Sequence, residues 1–176
     1  GPPETSGTRT SLIDLVMEPA CTSDAGMKGF GEGSDRYETM CRTIRSDGKY
    51  LDQGEQDNLI VQKIEGNPNA VGIFGYSYLE ENSNKVQGLH MNGVAPTYEN
   101  ISSFEYPGAR PLYVYVKKAH LDAIPGLKQY LAEWTKMWAK DGDLAKIGLV
   151  ASPDDVMAAN QKAATEYTTL DGSQLK

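Results

Sequence analysis

Apolar positions recur with helical spacing in several stretches of the chain. Leu12, Ile13, Leu15 and Val16 share one side of a helix, Ser6 stands before it as a side-chain cap, and Pro19 follows as a stop; together they predict a helix from Gly7 to about Glu18. A short helix is predicted around Tyr37 to Ile44. Leu59, Ile60, Val61 and Ile64 predict another over Asp57 to Glu65, ended by Gly66-Asn67-Pro68. Further on, Leu127, Tyr130, Leu131, Trp134 and Trp138 line one side of a helix over Ile124 to Ala139, with the two tryptophans expected in the core. Asp141-Gly142 then breaks the pattern, and a last helix starts at about Pro153.

Between these helices the pattern changes. Ala70-Val71-Gly72-Ile73-Phe74-Gly75-Tyr76 is a short apolar run whose glycines suit a buried strand approached closely by other backbone. Asn92-Gly93 between Val86 to Met91 and Val94 to Tyr98 is a hairpin signal, because both turn residues tolerate positive φ. Pro111 to Val116 reads as the clearest strand. The aperiodic Ser102 to Arg110 before it reads as a crossing between lobes. Cys21 to Asp35, rich in Gly, Ser and Asp, reads as a surface loop, and Ser46-Asp47-Gly48 as a turn. No repeat recurs at a solenoid period.

Composition narrows the field. At 176 residues the chain is one domain or two small lobes, and 39% apolar residues suffice for a sizeable core. A net charge of -7 argues against electrostatic capture of nucleic acid or anionic lipid. The longest apolar runs, such as Ala70 to Phe74, fall far short of the roughly 20 residues that a membrane-crossing helix needs. The opening Gly1-Pro2-Pro3-Glu4 has none of the features of a signal peptide. Cys21 and Cys41 cannot form a zinc site alone, which leaves either two buried thiols or a bridge worth about 3 kcal/mol in an oxidising compartment.

The residues best suited to chemistry are Thr5-Ser6-Gly7-Thr8-Arg9, where a loop becomes a helix. The first amides of a helix lack backbone partners, so Gly7, Thr8 and Arg9 are expected to aim theirs at an oxyanion, with the positive end of the helix dipole behind them. Gly7 admits close approach, Ser6 and Thr8 add hydroxyls, and Arg9 adds a charged planar fork matched to two oxygens of a tetrahedral anion. Taken alone, the same residues also describe an ordinary capped helix with a solvated arginine. The spacing is not that of a P-loop, no G-x-S-x-G elbow surrounds Ser6, and His90 and His120 read as surface histidines with no link to it. The crowded Asp47, Asp52, Glu55 and Asp57 lack the order of a calcium loop and read as a solvated acidic turn.

In combination, several blocks are more specific. Gly1 to Arg9, Asp47-Gly48-Lys49-Tyr50, Gly54-Glu55-Gln56-Asp57-Asn58-Leu59, Asn67 to Tyr76, and Arg110-Pro111-Leu112-Tyr113-Val114-Tyr115-Val116-Lys117-Lys118 resemble the PstS family in order and spacing over most of the chain. These are periplasmic phosphate-binding proteins of the high-affinity phosphate ABC transporter. The resemblance implies an α/β fold of the type II periplasmic-binding-protein kind, with three-layer α/β/α lobes closing on dehydrated phosphate. Residues 1–104 would be the second-lobe portion and 105–176 the C-terminal return to the first lobe, with Trp134 and Trp138 in its packing helix.

By the same comparison Ser6, Gly7, Thr8 and Arg9 are the phosphate contacts, and Asp57 and Glu55 are candidates to orient Arg9. A Cys21–Cys41 disulfide follows from the oxidising periplasm, and no cofactor, metal or catalytic residue is implied. Family members carry a long stretch before this motif that supplies most of the first lobe and an acidic acceptor excluding unprotonated sulfate. Its absence here leads us to expect a fragment with half of the site, completed by the missing N-terminal part or a second chain. The expected partners are inorganic phosphate and the membrane permease subunits, with no nucleic acid. The alternatives are a receptor for another tetrahedral oxyanion, sulfate or an organic phosphate, or a ligand-free relic serving as an interaction domain. A phosphate-ester hydrolase with Ser6 as nucleophile has no recognisable base to support it.

Overall fold

The computed structural model describes residues 1–24, 26–27 and 33–174, so part of the expected loop from Cys21 to Asp35 lies outside the described residues. The chain divides into two compact units, Gly1–Pro96 and Thr97–Lys176.

In the first unit Ser6 ends the extended entry segment, and α1 (Gly7–Leu12) begins as its cap predicts. The helix does not stop at Pro19. It runs on through a π turn (Ile13–Met17) into α2 (Glu18–Ser23), with the Glu18 N–H bonded to the Ile13 carbonyl. Proline breaks an α-helix because it lacks an N–H and crowds the carbonyl four residues back; a widened turn just before it and a place in the first turn of α2 relieve both. A second helical stretch, α3 (Asp35–Tyr37) with its own π turn (Glu38–Arg42), starts at Ser34, whose hydroxyl accepts the Tyr37 N–H at 3.2 Å.

Cys21 and Cys41 are joined in a disulfide, with Cα atoms 5.5 Å apart. Beside it Arg42 pairs with Asp14, Glu18 and Glu38, while the Tyr37 hydroxyl donates to Glu18 at 3.1 Å. Tyr37 and Cys41 are buried, so this bridge and its ion pairs close a small core between the two helical stretches.

The helix α4 (Asp57–Glu65) forms over the residues its periodicity predicts and buries Ile60 and Val61. Burying each such side chain fully stabilises the fold by about 1.5–3 kcal/mol relative to leaving it exposed. Ile60 packs on the backbone of Gly72, where a Cβ would lie 2.9 Å from its Cγ2; this close approach is what the glycine permits. Asp57 accepts the Gly75 N–H at 3.1 Å and ties the start of α4 to the segment leading into α5 (Tyr76–Glu81). Asn92 and Gly93, at φ 51° and 83°, form the expected tight turn, with Met91 and Val94 exchanging both backbone bonds.

In the second unit Thr97 caps α6 (Tyr98–Ser102), and the Tyr98 hydroxyl and Ser102 hydroxyl bracket the backbone of buried Ala151. After α7 (His120–Ala123), Gly126 turns the chain at φ 85°, so α8 (Leu127–Met137) starts later than Ile124. Leu121 and Leu131 are buried, α8 packs on α10 (Asp154–Glu166), and α9 (Asp143–Lys146) lies between them in sequence. Tyr130 stacks on Trp134 along α8, and Trp134 meets Trp138, just past the helix, edge to face; Tyr130 is exposed and the two tryptophans are half-buried, short of the core role expected for the tryptophans.

The expected strands are the main correction. Among the described residues no strand is assigned, and the hairpin ladder ends at its single Met91–Val94 bridge. Residues 70–75 and 111–116 carry no regular structure, with Val71 69% and Leu112 68% exposed. Strand propensity is realised only against a ladder partner, and the described residues bring none alongside these runs. The three-layer arrangement of the α/β expectation is therefore not seen here.

Candidate functional site

The residues singled out by sequence lie together at the start of α1. Pro2 is fully buried, the Ser6 N–H bonds to the Pro3 carbonyl at 3.0 Å, and this turn delivers Ser6 in an extended conformation at φ −80°, ψ 131°. The Ser6 hydroxyl accepts the Thr8 N–H at 3.2 Å, and the Ser6 carbonyl accepts the Arg9 N–H at 3.1 Å. Capping therefore consumes two of the three amides expected to face an anion. Gly7 keeps its N–H without a protein acceptor among the described residues, and the Thr8 hydroxyl is likewise uncommitted.

Arg9 projects from the first turn over the ring of Tyr50, its guanidinium carbon 5.1 Å from the ring centroid. Among the described residues it has no carboxylate partner, whereas Arg42 pairs with Asp14, Glu18 and Glu38, and Arg45 pairs with Asp47. In a chain of net charge -7, an arginine left unpaired keeps both charge and donors for something else.

The two candidate orienting acids are engaged elsewhere. Glu55 accepts the Thr5 hydroxyl at 2.7 Å, and Asp57 accepts the Gly75 N–H. Neither meets Arg9. Their contacts brace the site from behind: Glu55 holds the residue before the cap, and Asp57 anchors α4.

Tyr50 is the participant that sequence reasoning missed. It follows the Asp47-Gly48 turn, and Gly48 there has φ 78°. Its hydroxyl donates to the Pro2 carbonyl at 2.7 Å, and a side chain on Gly1 would collide with that hydroxyl. Gly1 and the stretch after Tyr50 also exchange backbone bonds, Gly1 N to Leu51 O at 2.9 Å and Gln53 N to Gly1 O at 3.0 Å. Burial pushes the Tyr50 hydroxyl above the ordinary tyrosine range, with Asp52 adding to the rise and Arg9 opposing it. It is therefore neutral at physiological pH. No local pattern pairs residues so far apart in sequence; the signals were an aromatic residue just after a glycine turn and its place at the end of the Asp47-Gly48-Lys49-Tyr50 block.

The arrangement offers one free amide, hydroxyls and an unpaired guanidinium at the positive end of a helix that continues to Ser23, a donor set suited to a tetrahedral oxyanion. Among the described residues no cluster of three or more His, Cys, Asp or Glu could hold a metal ion, and none of the helices is long and apolar enough to cross a membrane. His90 and His120 are both exposed, and neither bonds to Ser6.

Residues 1–136 match the PBP superfamily domain family. Over 115 residues the chain is 29% identical to a phosphate-binding protein PstS of Staphylococcus haemolyticus, covering 62% of this chain and 36% of that one. A PstS of Staphylococcus epidermidis is 32% identical over 103 residues, covering 54% of this chain and 30% of that protein. Protein SphX of Synechococcus elongatus is 38% identical over 74 residues, 39% of this chain and 22% of its own length. The matched region thus spans about a third or less of these curated relatives. No solved structure matches the chain significantly.

Proposed function

Since this chain belongs to the PBP superfamily domain family, we propose that it serves, without catalysis, as a solute receptor for inorganic phosphate that delivers its ligand to the membrane permease of an ABC transporter in the periplasm. The observation that carries this reading is Arg9, a guanidinium with no carboxylate partner among the described residues, held at the Ser6-capped start of a helix. The relatives named as phosphate-binding proteins suggest the ligand. In this reading the Gly7 N–H, the Ser6 and Thr8 hydroxyls and Arg9 form one face of the anion site. Residues 1–104 belong to one lobe and 105–176 return to the other, and the opposite face of the site comes from further chain or a second chain, in keeping with relatives about three times as long as the matched region.

Calorimetric titration of phosphate into the anion-stripped chain, with sulfate as competitor, tests the reading. Loss of a charge-assisted contact is worth about 1.5–3 kcal/mol, so Arg9→Ala should weaken phosphate binding roughly ten- to a hundredfold while the far-UV circular dichroism stays unchanged. Equal affinity in the variant would remove Arg9 from the site. One observation favours a second reading, a receptor for another tetrahedral oxyanion: among the described residues no carboxylate pairs with Arg9, so this face of the site holds no acceptor-only group to select a protonated anion. Sulfate competing on equal terms with phosphate would establish it.

A further inference from the structure

We infer that Tyr50 is the positioning residue of the oxyanion site, holding the Arg9 guanidinium by its ring face so that the edge of the guanidinium stays open to the ligand. The inference rests on the phosphate-receptor reading above and deepens it.

An arginine that must grip an anion faces a conflict. Left loose, its long side chain loses much rotamer freedom on binding. Fixed by a carboxylate, as Arg42 is fixed by Asp14, Glu18 and Glu38, it loses its donors and its net charge to the partner. An aromatic face resolves this: the attraction acts through the flat side of the guanidinium, while its N–H groups all point outward in the plane. The Arg9 guanidinium carbon lies 5.1 Å from the centroid of the Tyr50 ring and the side chain is half-buried; among the described residues it makes no ion pair, and Asp52 acts on the Tyr50 hydroxyl without bonding to Arg9.

The ring is itself held. Its hydroxyl donates to the carbonyl of fully buried Pro2, and Gly1, lacking a side chain, leaves the space the hydroxyl occupies. Pro2 belongs to the segment that turns through Pro3 into the Ser6 cap. One short chain segment therefore sets both the helix start and the platform under its arginine, which fixes the distance between them. A tyrosine hydroxyl is protonated at physiological pH at its ordinary value of 10.0, and burial raises it further, so the ring stays neutral and its hydrogen bond to Pro2 persists across the physiological range.

The test uses the full 176-residue chain, inorganic phosphate as the probe, and two substitutions. The side-chain Nε–H proton resonance of Arg9 is recorded by NMR, since a proton over an aromatic face is shifted upfield, and phosphate affinity is measured by calorimetry. In the unsubstituted chain the Arg9 resonance should be shifted. Tyr50→Phe, which keeps the ring and gives up only the tether to Pro2, should retain that shift and bind phosphate within about twofold. Tyr50→Leu should lose the shift and weaken phosphate binding about five- to tenfold, the range expected of a partly desolvated cation–π contact. No upfield shift in the unsubstituted chain overturns the inference without reference to any variant. Unchanged affinity in Tyr50→Leu, or equal weakening in both variants, also overturns it, since the ring face is then not what positions Arg9. A shifted Arg9 in a chain that takes up no phosphate instead overturns the receptor reading for these 176 residues taken alone, and the role assigned to the stack with it.

Discussion

Replacing Cys21 and Cys41 together by alanine cuts the one covalent tie between α2 and the helical stretch of residues 35–42. The cysteines are 20 positions apart, and cross-linking a loop of that length removes denatured-state entropy worth about 3 kcal/mol at room temperature. What remains across the junction is Arg42 with Asp14 and Glu18, and the Tyr37 hydroxyl on Glu18; Glu38 lies on the same stretch as Arg42. These pairs are partly exposed, the Arg42 side chain being 29% accessible, and such pairs contribute about 1 kcal/mol or less each, so they cannot make up the difference. Urea unfolding followed by far-UV circular dichroism should therefore lose about 3 kcal/mol, which at a slope of about 1–3 kcal/mol per molar moves the midpoint down by roughly 1–3 M. Hydrogen exchange should show the loss first in peptides covering residues 7–23 and 35–42. The oxidised and reduced forms of the unsubstituted chain should bracket the same difference. A shift below about 0.5 kcal/mol would refute the reasoning, because the two stretches would then be held together by packing and ion pairs alone.

The other expectations are simpler. Ile60→Ala, at a fully buried position against Gly72, should cost about 2–5 kcal/mol in urea unfolding, and a cost under 1 kcal/mol would mean that α4 does not anchor the first unit. Asp47, hydrogen-bonded by Arg45, should titrate below its ordinary value of 3.8. Its depressed folded-state pKa means that the stability it contributes is present above the ordinary value and lost as pH falls through the folded one. A carboxyl-carbon NMR titration should place the midpoint below 3.8 and see it rise in Arg45→Gln; a midpoint at or above 3.8 would dissolve the pair.

How much of this was legible in the sequence depends on how local each cause is. The cap at Ser6, the span of α4 and the Asn92-Gly93 turn rest on neighbours within a few positions, and all three stand where the pattern placed them. The stop at Pro19 failed because a proline's effect depends on the turn before it, and hydrophobic spacing does not distinguish a π turn from an α turn. The strands over residues 70–76 and 111–116 failed for a different reason: their composition is right, but a strand is completed only by another strand. At the site, the helix start was readable and its environment was not. Glu55 and Asp57 are near Arg9 in the order of motifs, yet they bond to Thr5 and Gly75, and the ring beneath Arg9 comes from Tyr50, which ends one of the resembling blocks but carried no role there.

The two helical stretches that meet at the disulfide each contain a π turn, and this bears on the register of the chain. A π turn closes its hydrogen bond over one residue more than an α turn, so the helix beyond Met17 keeps the angular phase of an α-helix one residue shorter. Deleting one residue between Ile13 and Met17 would leave Glu18 and Cys21 facing Arg42 and Cys41. Straightening the turn into an α-helix without a deletion would rotate everything downstream by about 100° and carry both residues away from their partners. That turn is thus the place in the chain where a single-residue change of length is neutral to the bridge, while a change of helix type is not.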